Sequence, residues 1–210
     1  MSRVKKVAEA KSIARQGGER TSVPRLSKRK IDRVNMSNQR IIIIGFMGTG
    51  KTTVAYDLAR KLNSAAIDLD ELVAERERRG PKEIIEQDGE EAFRRIETQA
   101  LREVLIDATA RVIAVGGGAW TVAENRKLVA EYGALSVWLD APFELCWTRI
   151  AAAPEPRPLA RSREMALKLY AERRPVYESA DVRVTVKENE SVEEIATKVA
   201  GIILRQNASR

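Results

Sequence analysis

Histidine is absent from this sequence of 210 residues, and cysteine occurs once, as Cys146. Without histidine, a general base must be a carboxylate, a lysine, a tyrosine or water, so imidazole-dependent hydrolase and metal-site chemistry is largely excluded. A single cysteine also excludes an internal disulfide. Because Cys146 lies in an apolar helical pattern, we predict that it packs in the core and has no catalytic role.

Long hydrophobic runs are also missing. No apolar segment approaches the ~18 residues that a membrane-spanning helix needs, and no signal-peptide pattern is present. The length fits one α/β domain with a sizeable core, plus a tail. We therefore expect a soluble protein of the cytoplasm with no membrane partner.

The positive charge is confined to the amino-terminal part of the chain. The formal net charge is +7, but residues 1–39 contain 11 Lys and Arg against 3 Asp and Glu. Residues 40–210 contain 26 against 27 and are nearly neutral. This composition predicts a disordered basic extension over residues 1–39 and a folded domain over residues 40–205. No nucleic-acid binding is expected of the folded domain.

A phosphate-binding loop follows the first predicted strand. Ile41–Ile44 is a β-branched run typical of a buried parallel strand, and apolar residues recur at helical spacing after Thr53. Between them, Gly45-x4-Gly50-Lys51-Thr52 matches the pattern whose backbone N–H groups cradle phosphates at a helix N-terminus. Lys51 would reach the β- and γ-phosphates, and the Thr52 hydroxyl would bind Mg²⁺. The predicted ATP contacts in the loop are Gly48, Thr49, Gly50, Lys51, Thr52 and Thr53.

Two acidic residues end the next predicted strand. The pattern from Ser64 to Asp70 favours a short strand in which alternation points Asp68 and Asp70 the same way. Open α/β sheets bind ligands at the carboxyl ends of their strands. One carboxylate could hold a Mg²⁺-bound water, and the other could accept a proton from a hydroxyl. The alternative is that Asp68 caps a helix and Asp70 lies in its first turn.

Two later features indicate an anionic substrate. Arg94 and Glu97 lie three residues apart in a helix predicted from Glu90 to about residue 108, so they can pair. An arginine held by a carboxylate is preorganised to bind an anion. The run Gly116–Gly118 follows a strand predicted at residues 112–115. Three glycines favour close approach of another group, and the alternative is a tight left-handed turn.

A loop rich in proline and arginine is predicted at about residues 151–163, and its composition is typical of a mobile lid. An arginine in this loop could swing over a transferred phosphate. The next helix is predicted to stop before Pro175, because proline disfavours the α conformation of the residue before it. That would leave Arg173 near an exposed helix end, with a second short helix at residues 176–180.

Six motifs in this order resemble those of shikimate kinases, over roughly residues 40–186. They are Gly45-Phe-Met-Gly-Thr-Gly-Lys-Thr-Thr53, Asp68-Leu-Asp70, Phe93-Arg94-Arg-Ile-Glu97, Gly116-Gly-Gly118, Arg157-Pro-Leu159 and Arg173-Arg-Pro-Val-Tyr177. The phosphate loop is specific by itself, whereas the other motifs are specific only as an ordered set. The resemblance implies ATP-dependent phosphorylation of the 3-hydroxyl of shikimate, a step of chorismate and aromatic amino-acid biosynthesis.

The resemblance also implies a fold and a set of partners. The fold would be a three-layer α/β P-loop kinase with a five-stranded parallel sheet in the order 2-3-1-4-5 and helices on both faces. A small substrate-binding region at about residues 68–108 and a lid at about residues 151–163 would adjoin the site. We expect a monomer that takes ATP and shikimate as substrates and Mg²⁺ as its cofactor.

The same resemblance implies a role for individual residues. Asp70 would bind the substrate hydroxyls and act as the base, while Asp68 would support Mg²⁺ through water. Arg94 and Arg173 would grip the substrate carboxylate. The other implied contacts are the backbone of Gly116, Gly117 and Gly118 for shikimate, Arg157 for the phosphates and Arg149 for adenine, and the implied catalytic residues are Asp70, Lys51 and Arg157.

Two other functions stay open at this point. A kinase of the same superfamily could act on another small hydroxylated acid such as gluconate, although Arg94, Arg173 and the triple glycine argue against it. A nucleotide-binding regulatory protein could use the basic extension to bind RNA. That function would leave the substrate residues without a role, and the basic charge lies only in the extension.

Overall fold

The structure is a computed structural model and describes residues 39–107, 110–153 and 159–208. Its strands are β1 (Ile41–Ile44), β2 (Ala66–Asp68), β3 (Val112–Ala114), β4 (Leu135–Asp140) and β5 (Val182–Thr185). They form one sheet in the order β2-β3-β1-β4-β5, and all neighbours are parallel. The predicted fold class and strand order are confirmed. The predicted extension, apart from Gln39, lies outside the described residues.

The described residues also form eight α-helices and one turn of 3₁₀-helix at Ala119–Thr121. The α-helices are α1 (Lys51–Lys61), α2 (Leu69–Glu77), α3 (Pro81–Asp88), α4 (Glu90–Ile106), α5 (Ala123–Glu131), α6 (Phe143–Ala151), α7 (Arg163–Tyr177) and α8 (Val192–Ala208). Helices cover both faces of the sheet, with α8 packed against α1 and α4 packed against α5. Within the described ranges, no helix is both long and apolar enough to cross a membrane.

The central strand positions the phosphate loop beside a second functional turn. All four isoleucines of β1 are buried, and the register pairs Ile41 with Val112 of β3. Because parallel strands end at the same edge of a sheet, the loops after β1 and β3 become neighbours. An ideal Cβ on Gly117, in the turn after β3, would lie 3.5 Å from the carbonyl oxygen of Gly45. The sheet therefore brings the two glycine-rich turns together.

The second strand ends earlier than predicted. β2 stops at Asp68 and α2 begins at the next residue, so Asp70 lies in the first helical turn. Asp68 Oδ1 caps this helix by accepting hydrogen bonds from the N–H groups of Asp70 at 2.9 Å and Glu71 at 3.3 Å. The prediction that strand alternation aligns Asp68 with Asp70 is therefore wrong, and the capping alternative is correct.

The helix before the last strand also differs from the prediction. α7 runs without a break through Pro175 to Tyr177, so the predicted stop and the second short helix are wrong. Pro175 lacks an N–H, which removes one hydrogen bond from the helix interior. Contacts outside the helix compensate for this loss. The Tyr177 hydroxyl donates to the carbonyl oxygen of Gly117, and the Arg174 guanidinium binds Asp140.

Candidate active site

The phosphate loop between β1 and α1 depends on its glycine residues. Gly48 has a φ of 79° and Gly50 has a φ of 89°, a left-handed conformation that residues with a Cβ rarely adopt. An ideal Cβ on Gly48 would also lie 2.6 Å from the carbonyl oxygen of Cys146 on α6. The loop is therefore packed tightly against α6 and ends at the N-terminus of α1, where backbone N–H groups attract anions.

Side chains of the loop and of α6 flank this backbone. Thr49 Oγ1 donates to the Phe46 carbonyl oxygen at 2.8 Å, and Lys51 Nζ donates to the same oxygen at 3.0 Å. Arg149 Nη1 donates to the carbonyl oxygen of Gly48 at 3.1 Å. Two cations, one at the start of α1 and one on α6, thus lie at the loop, and their charge suits a polyphosphate.

The Thr52 hydroxyl and the Asp68 carboxylate form a pair of oxygen ligands beside the loop. Thr52 Oγ1 donates to Asp68 Oδ2 at 2.5 Å, while the other carboxylate oxygen caps α2. Among the described residues, no group of three or more His, Cys, Asp and Glu side chains could hold a metal. Mg²⁺ favours oxygen ligands and is usually bound by one or two protein groups plus substrate phosphates and water. These two residues therefore fit a Mg²⁺ that arrives with a nucleotide.

Two carboxylates converge on the turn that follows β3. An ideal Cβ on Gly116 would lie 2.6 Å from Glu97 Oε1 and 2.9 Å from Asp70 Oδ1. Glu97 projects from α4 and is fully buried, whereas Asp70 projects from the first turn of α2. Glycine at position 116 therefore leaves the space in which two helices bring their acidic groups together.

A guanidinium lies at the other end of this turn. Arg94 Nη1 donates to Glu97 Oε2 at 2.7 Å, and Nη2 donates to Glu90 Oε1 at 3.0 Å. The predicted pairing of Arg94 with Glu97 is therefore confirmed. A Cβ on Gly118 would collide with this guanidinium. The Arg94 side chain is only 15% exposed, and this low exposure strengthens its attraction for an anion.

A second arginine reaches the turn from α7. Arg173 is 6% exposed, so its predicted place at an exposed helix end is wrong. It lies beside the Tyr177 hydroxyl, and its Nη1 would be 3.5 Å from an ideal Cβ on Gly117. Arg173 is buried because α7 continues past Pro175 and holds this side chain against the glycine turn.

The three glycines of this turn provide space for other groups. None of Gly116–Gly118 has a left-handed φ, so the alternative of a left-handed turn is wrong. Each position faces a different group: two carboxylates at the first, the Met47 backbone nitrogen and Arg173 at the second, and Arg94 at the third. The expectation of a close approach at this turn is confirmed.

Glu97 combines complete burial with an incomplete set of partners. Among the described residues, its Oε1 has no hydrogen-bond partner, while Oε2 accepts from Arg94. Burial raises the pKa of Glu97 to about 7, and the charge of Asp70 adds to this effect, whereas Arg94 and Arg173 oppose it. The sequence identifies Glu97 only as a partner of Arg94, because its burial beside Asp70 depends on the tertiary fold.

Two predicted contacts fall at the edge of what the structure describes. Arg157 belongs to residues 154–158, which lie outside the described residues, so its contact with the phosphates stays a prediction. Arg149, the predicted neighbour of adenine, lies beside the phosphate loop. Cys146 is fully buried next to the same loop, and burial raises its pKa to about 11, in agreement with a packing role.

One acidic residue near the site was missed by the sequence reasoning. Asp140 ends β4, is 6% exposed, and binds both Arg174 and Arg183. The available signal was a carboxylate at the end of a predicted strand in a chain with a phosphate loop. The two arginines that neutralise it are remote in sequence, so only the fold identifies the group.

Comparisons with known proteins agree with this geometry. A family model described as shikimate kinase matches residues 47–203. A shikimate kinase from Geobacter sulfurreducens is 39% identical over 173 residues, which cover 81% of this chain and 93% of that protein. The structure of shikimate kinase from Acinetobacter baumannii in complex with shikimate matches with a TM-score of 0.74 and 30% identity, over 83% of this chain and 98% of that one. A gluconokinase from Sinorhizobium meliloti matches with a TM-score of 0.57 at 17% identity, over 82% of this chain and 95% of that one, and shares the fold alone.

Replacing Gly118 with alanine should displace the Arg94 guanidinium, because the new Cβ would take its place. We expect Gly118→Ala to raise the KM for shikimate, the acceptor that the resemblance implies, about tenfold and to leave the KM for ATP within about twofold. Gly80→Ala is the matched control, since a Cβ there has nothing within 4 Å. Steady-state kinetics measure both constants, and an unchanged KM for shikimate would contradict the placement of Arg94.

The raised pKa of Glu97 predicts a pH dependence of stability. Its folded value of about 7 lies above its ordinary value of 4.5, so the folded protein holds a proton that the unfolded chain has lost. The stabilisation is fully present when the pH is below the ordinary pKa of 4.5, and it is lost as the pH rises through the folded pKa of about 7. Relative to Glu97→Gln, the wild-type free energy of unfolding should fall by on the order of 3 kcal/mol across this range.

Urea denaturation at a series of pH values measures this difference. Glu91→Gln serves as the control, because it removes an exposed carboxylate from the same helix and should follow the wild type at each pH. A difference between wild type and Glu97→Gln that stays constant with pH would contradict the burial argument.

Proposed function

The chain belongs to the shikimate kinase family, and we propose that its site transfers the γ-phosphoryl group of ATP to the 3-hydroxyl of shikimate. The observation that carries this proposal is the cluster of two arginines and two carboxylates on a glycine turn next to a phosphate loop. Shikimate is a small anion with several hydroxyls. It therefore needs cations for its carboxylate and an acidic acceptor for a hydroxyl proton.

The triphosphate of ATP binds at the start of α1. The contacts come from the loop residues Gly48, Thr49, Gly50, Lys51, Thr52 and Thr53. The Lys51 ammonium, which donates to the loop carbonyl of Phe46 in this structure, turns to the β- and γ-phosphates when they are present. Arg149, beside Gly48, contacts the nucleotide on its adenine side, and Arg157 reaches the phosphates from the lid.

Thr52 would hold the Mg²⁺ that accompanies ATP directly, and Asp68 would support it through water. The support for this assignment is the 2.5 Å hydrogen bond that joins their oxygens at the side of the loop. When bound, Mg²⁺ neutralises charge on the β- and γ-phosphates. The capping bonds of Asp68 fix its carboxylate at the start of α2, and so hold it next to Thr52.

Arg94 and Arg173 bind the shikimate carboxylate. Both guanidinium groups are largely buried at the glycine turn, and a carboxylate placed between them is attracted strongly because little water screens the charges. The backbone of Gly116, Gly117 and Gly118 closes on the substrate. Glu97 keeps Arg94 oriented through the 2.7 Å hydrogen bond between them.

Asp70 is the proton acceptor of the reaction. The 3-hydroxyl oxygen forms a bond to the γ-phosphorus, the bond from that phosphorus to the β–γ bridging oxygen breaks, and ADP leaves. The hydroxyl proton passes to the Asp70 carboxylate. Phosphoryl transfer depends mainly on positioning and on charge stabilisation, so a site without histidine is sufficient.

For the chain as a whole, we propose a monomeric enzyme of the cytoplasm. Residues 40–205 form the kinase domain, with the substrate-binding region at about residues 68–108 and the lid at about residues 151–163. Residues 1–39 form a basic extension, which carries the net positive charge. No nucleic acid is expected to bind the kinase domain, because that domain is nearly neutral.

ADP release in the presence of Mg²⁺ and ATP tests this function directly. We expect release to depend on added shikimate and to stay at the background level with gluconate or with no acceptor.

Lys51→Ala should abolish release because the phosphates lose their lysine contact. Arg94→Ala should raise the KM for shikimate on the order of 10- to 100-fold, with the KM for ATP within about twofold.

Two results would overturn the assignment in different ways. ADP release that does not depend on shikimate would be consistent with the phosphate-loop assignment. It would contradict the substrate-binding and catalytic roles proposed for Asp70, Arg94 and Arg173. Release driven by gluconate would move the protein to another small-acid kinase of the same fold.

A further inference from the structure

A cluster of charges around one buried carboxylate lies next to the acceptor site but includes none of the proposed substrate contacts. Its centre is Asp140, at the end of β4, which is 6% exposed. Arg174 of α7 and Arg183 of β5 both bind this carboxylate, and both guanidinium groups lie over the Trp138 ring. A buried carboxylate is costly without charged hydrogen-bond partners, and Asp140 has two.

Arg174 is the better fixed of the two arginines. Its Nη1 donates to Asp140 Oδ1 at 2.6 Å, and its Nη2 lies 3.4 Å from Oδ2, so the fork faces both carboxylate oxygens. Nη1 also lies 3.1 Å from the Tyr170 hydroxyl, and the guanidinium carbon is 5.2 Å from the Trp138 ring centre. The Arg174 side chain is 34% exposed, whereas that of Arg183 is 53% exposed.

Arg174 holds the turn of α7 where the helix is weakest. Pro175 follows it directly, and proline has no N–H with which to complete the helical hydrogen bonds. Arg173 precedes it directly and points to the glycine turn. The Tyr177 hydroxyl ties this turn of helix to the carbonyl oxygen of Gly117. The ion pair with Asp140 ties it to the sheet.

The same strand end also supports the phosphate loop. Asp140 follows Leu139, whose carbonyl oxygen would lie 2.8 Å from a Cβ on Gly45, the first glycine of the loop. Tyr170 adds a parallel link: its hydroxyl donates to the carbonyl oxygen of Ala141 at 2.9 Å, and its ring packs edge-on against Phe46 at 5.3 Å. The end of β4 is therefore a common support for the loop and for α7.

We propose that Asp140 and Arg174 are positioning residues that set the distance between Arg173 and the phosphate loop. Neither residue is one of the proposed substrate contacts. They hold the turn of α7 from which Arg173 reaches the carboxylate of the acceptor. This inference rests on the proposed function, because the pair acts through Arg173.

Arg183 provides a matched control within the same cluster. It binds the same carboxylate, with Nε 2.8 Å from Asp140 Oδ2, and it lies over the same indole at 4.9 Å. However, it projects from β5, opposite Trp138 in the register, and not from the helix that carries Arg173. Arg174→Ala and Arg183→Ala therefore each remove an ion pair with Asp140 and a contact with the Trp138 ring, but only the first should affect the acceptor site.

The test is steady-state kinetics of full-length Arg173→Ala, Arg174→Ala, Arg183→Ala and the Arg173→Ala/Arg174→Ala double variant, with thermal unfolding of each. We expect Arg174→Ala to raise the KM for shikimate about tenfold and to leave the KM for ATP within about twofold, while Arg183→Ala changes neither. In the double variant, the KM for shikimate should match that of Arg173→Ala alone. Asp140→Asn should reproduce the Arg174→Ala pattern, and Arg174→Lys should restore part of the loss.

The outcomes separate this inference from the proposed function. If Arg173→Ala leaves the KM for shikimate unchanged, the acceptor assignment fails and the positioning role fails with it. If Arg173→Ala raises that KM but Arg174→Ala does not, the positioning role alone is overturned. Effects that multiply in the double variant would also overturn it, because they would show that Arg174 acts independently of Arg173. If Arg174→Ala and Arg183→Ala raise the KM for shikimate equally, the positioning role is overturned, because the cluster would then contribute only to the stability of the fold.

Discussion

The buried contact between Arg94 and Glu97 is the interaction on which the acceptor site depends. Glu97 is fully enclosed, so its carboxyl requires either a cation or a proton, and Arg94 supplies the cation at 2.7 Å. The arginine is in turn held close to the glycine turn, where it is available to an anion. Asp70 lies at the same turn and raises the cost of a second negative charge there, which is why burial and proximity together raise the pKa of Glu97. The site thus places two carboxylates and an arginine of opposite charge close together at the glycine turn.

The parallel sheet places these charged groups beside the phosphate loop. The loop after β1 and the turn after β3 are neighbours because these strands pair in register and end at one edge. α2 carries Asp70 to this edge because Asp68 starts the helix one residue after β2. Arg173 arrives from α7, far along the sequence, and the end of β4 fixes that helix. Donor and acceptor groups therefore share one rigid frame, as positional catalysis of phosphoryl transfer requires.

Much of this architecture could be predicted from local sequence patterns. The isoleucines of β1 and the glycines around Lys51 specify a strand, loop and helix by composition and spacing alone, and the resemblance supplied the strand order. The predicted ends of β2 and α7 were wrong because a capping side chain or a distant contact changed the local secondary-structure preference. Asp68 caps a helix and thereby ends β2, while Asp140 and Gly117 hold α7 beyond Pro175. The burial of Glu97 beside Asp70 was not predictable, and neither was the Asp140 cluster, because the residues brought together in each case are remote in sequence.

Removing the negative charge from the substrate tests the carboxylate site directly. The value of kcat/KM for shikimate should be compared with that for its methyl ester, in the wild type and in Arg94→Ala/Arg173→Ala. If Arg94 and Arg173 bind the carboxylate as proposed, kcat/KM for the ester should be on the order of 100-fold below that for shikimate in the wild type. In the variant, the two values should differ little. If the wild type phosphorylates the ester as well as shikimate, these arginines do not recognise the carboxylate.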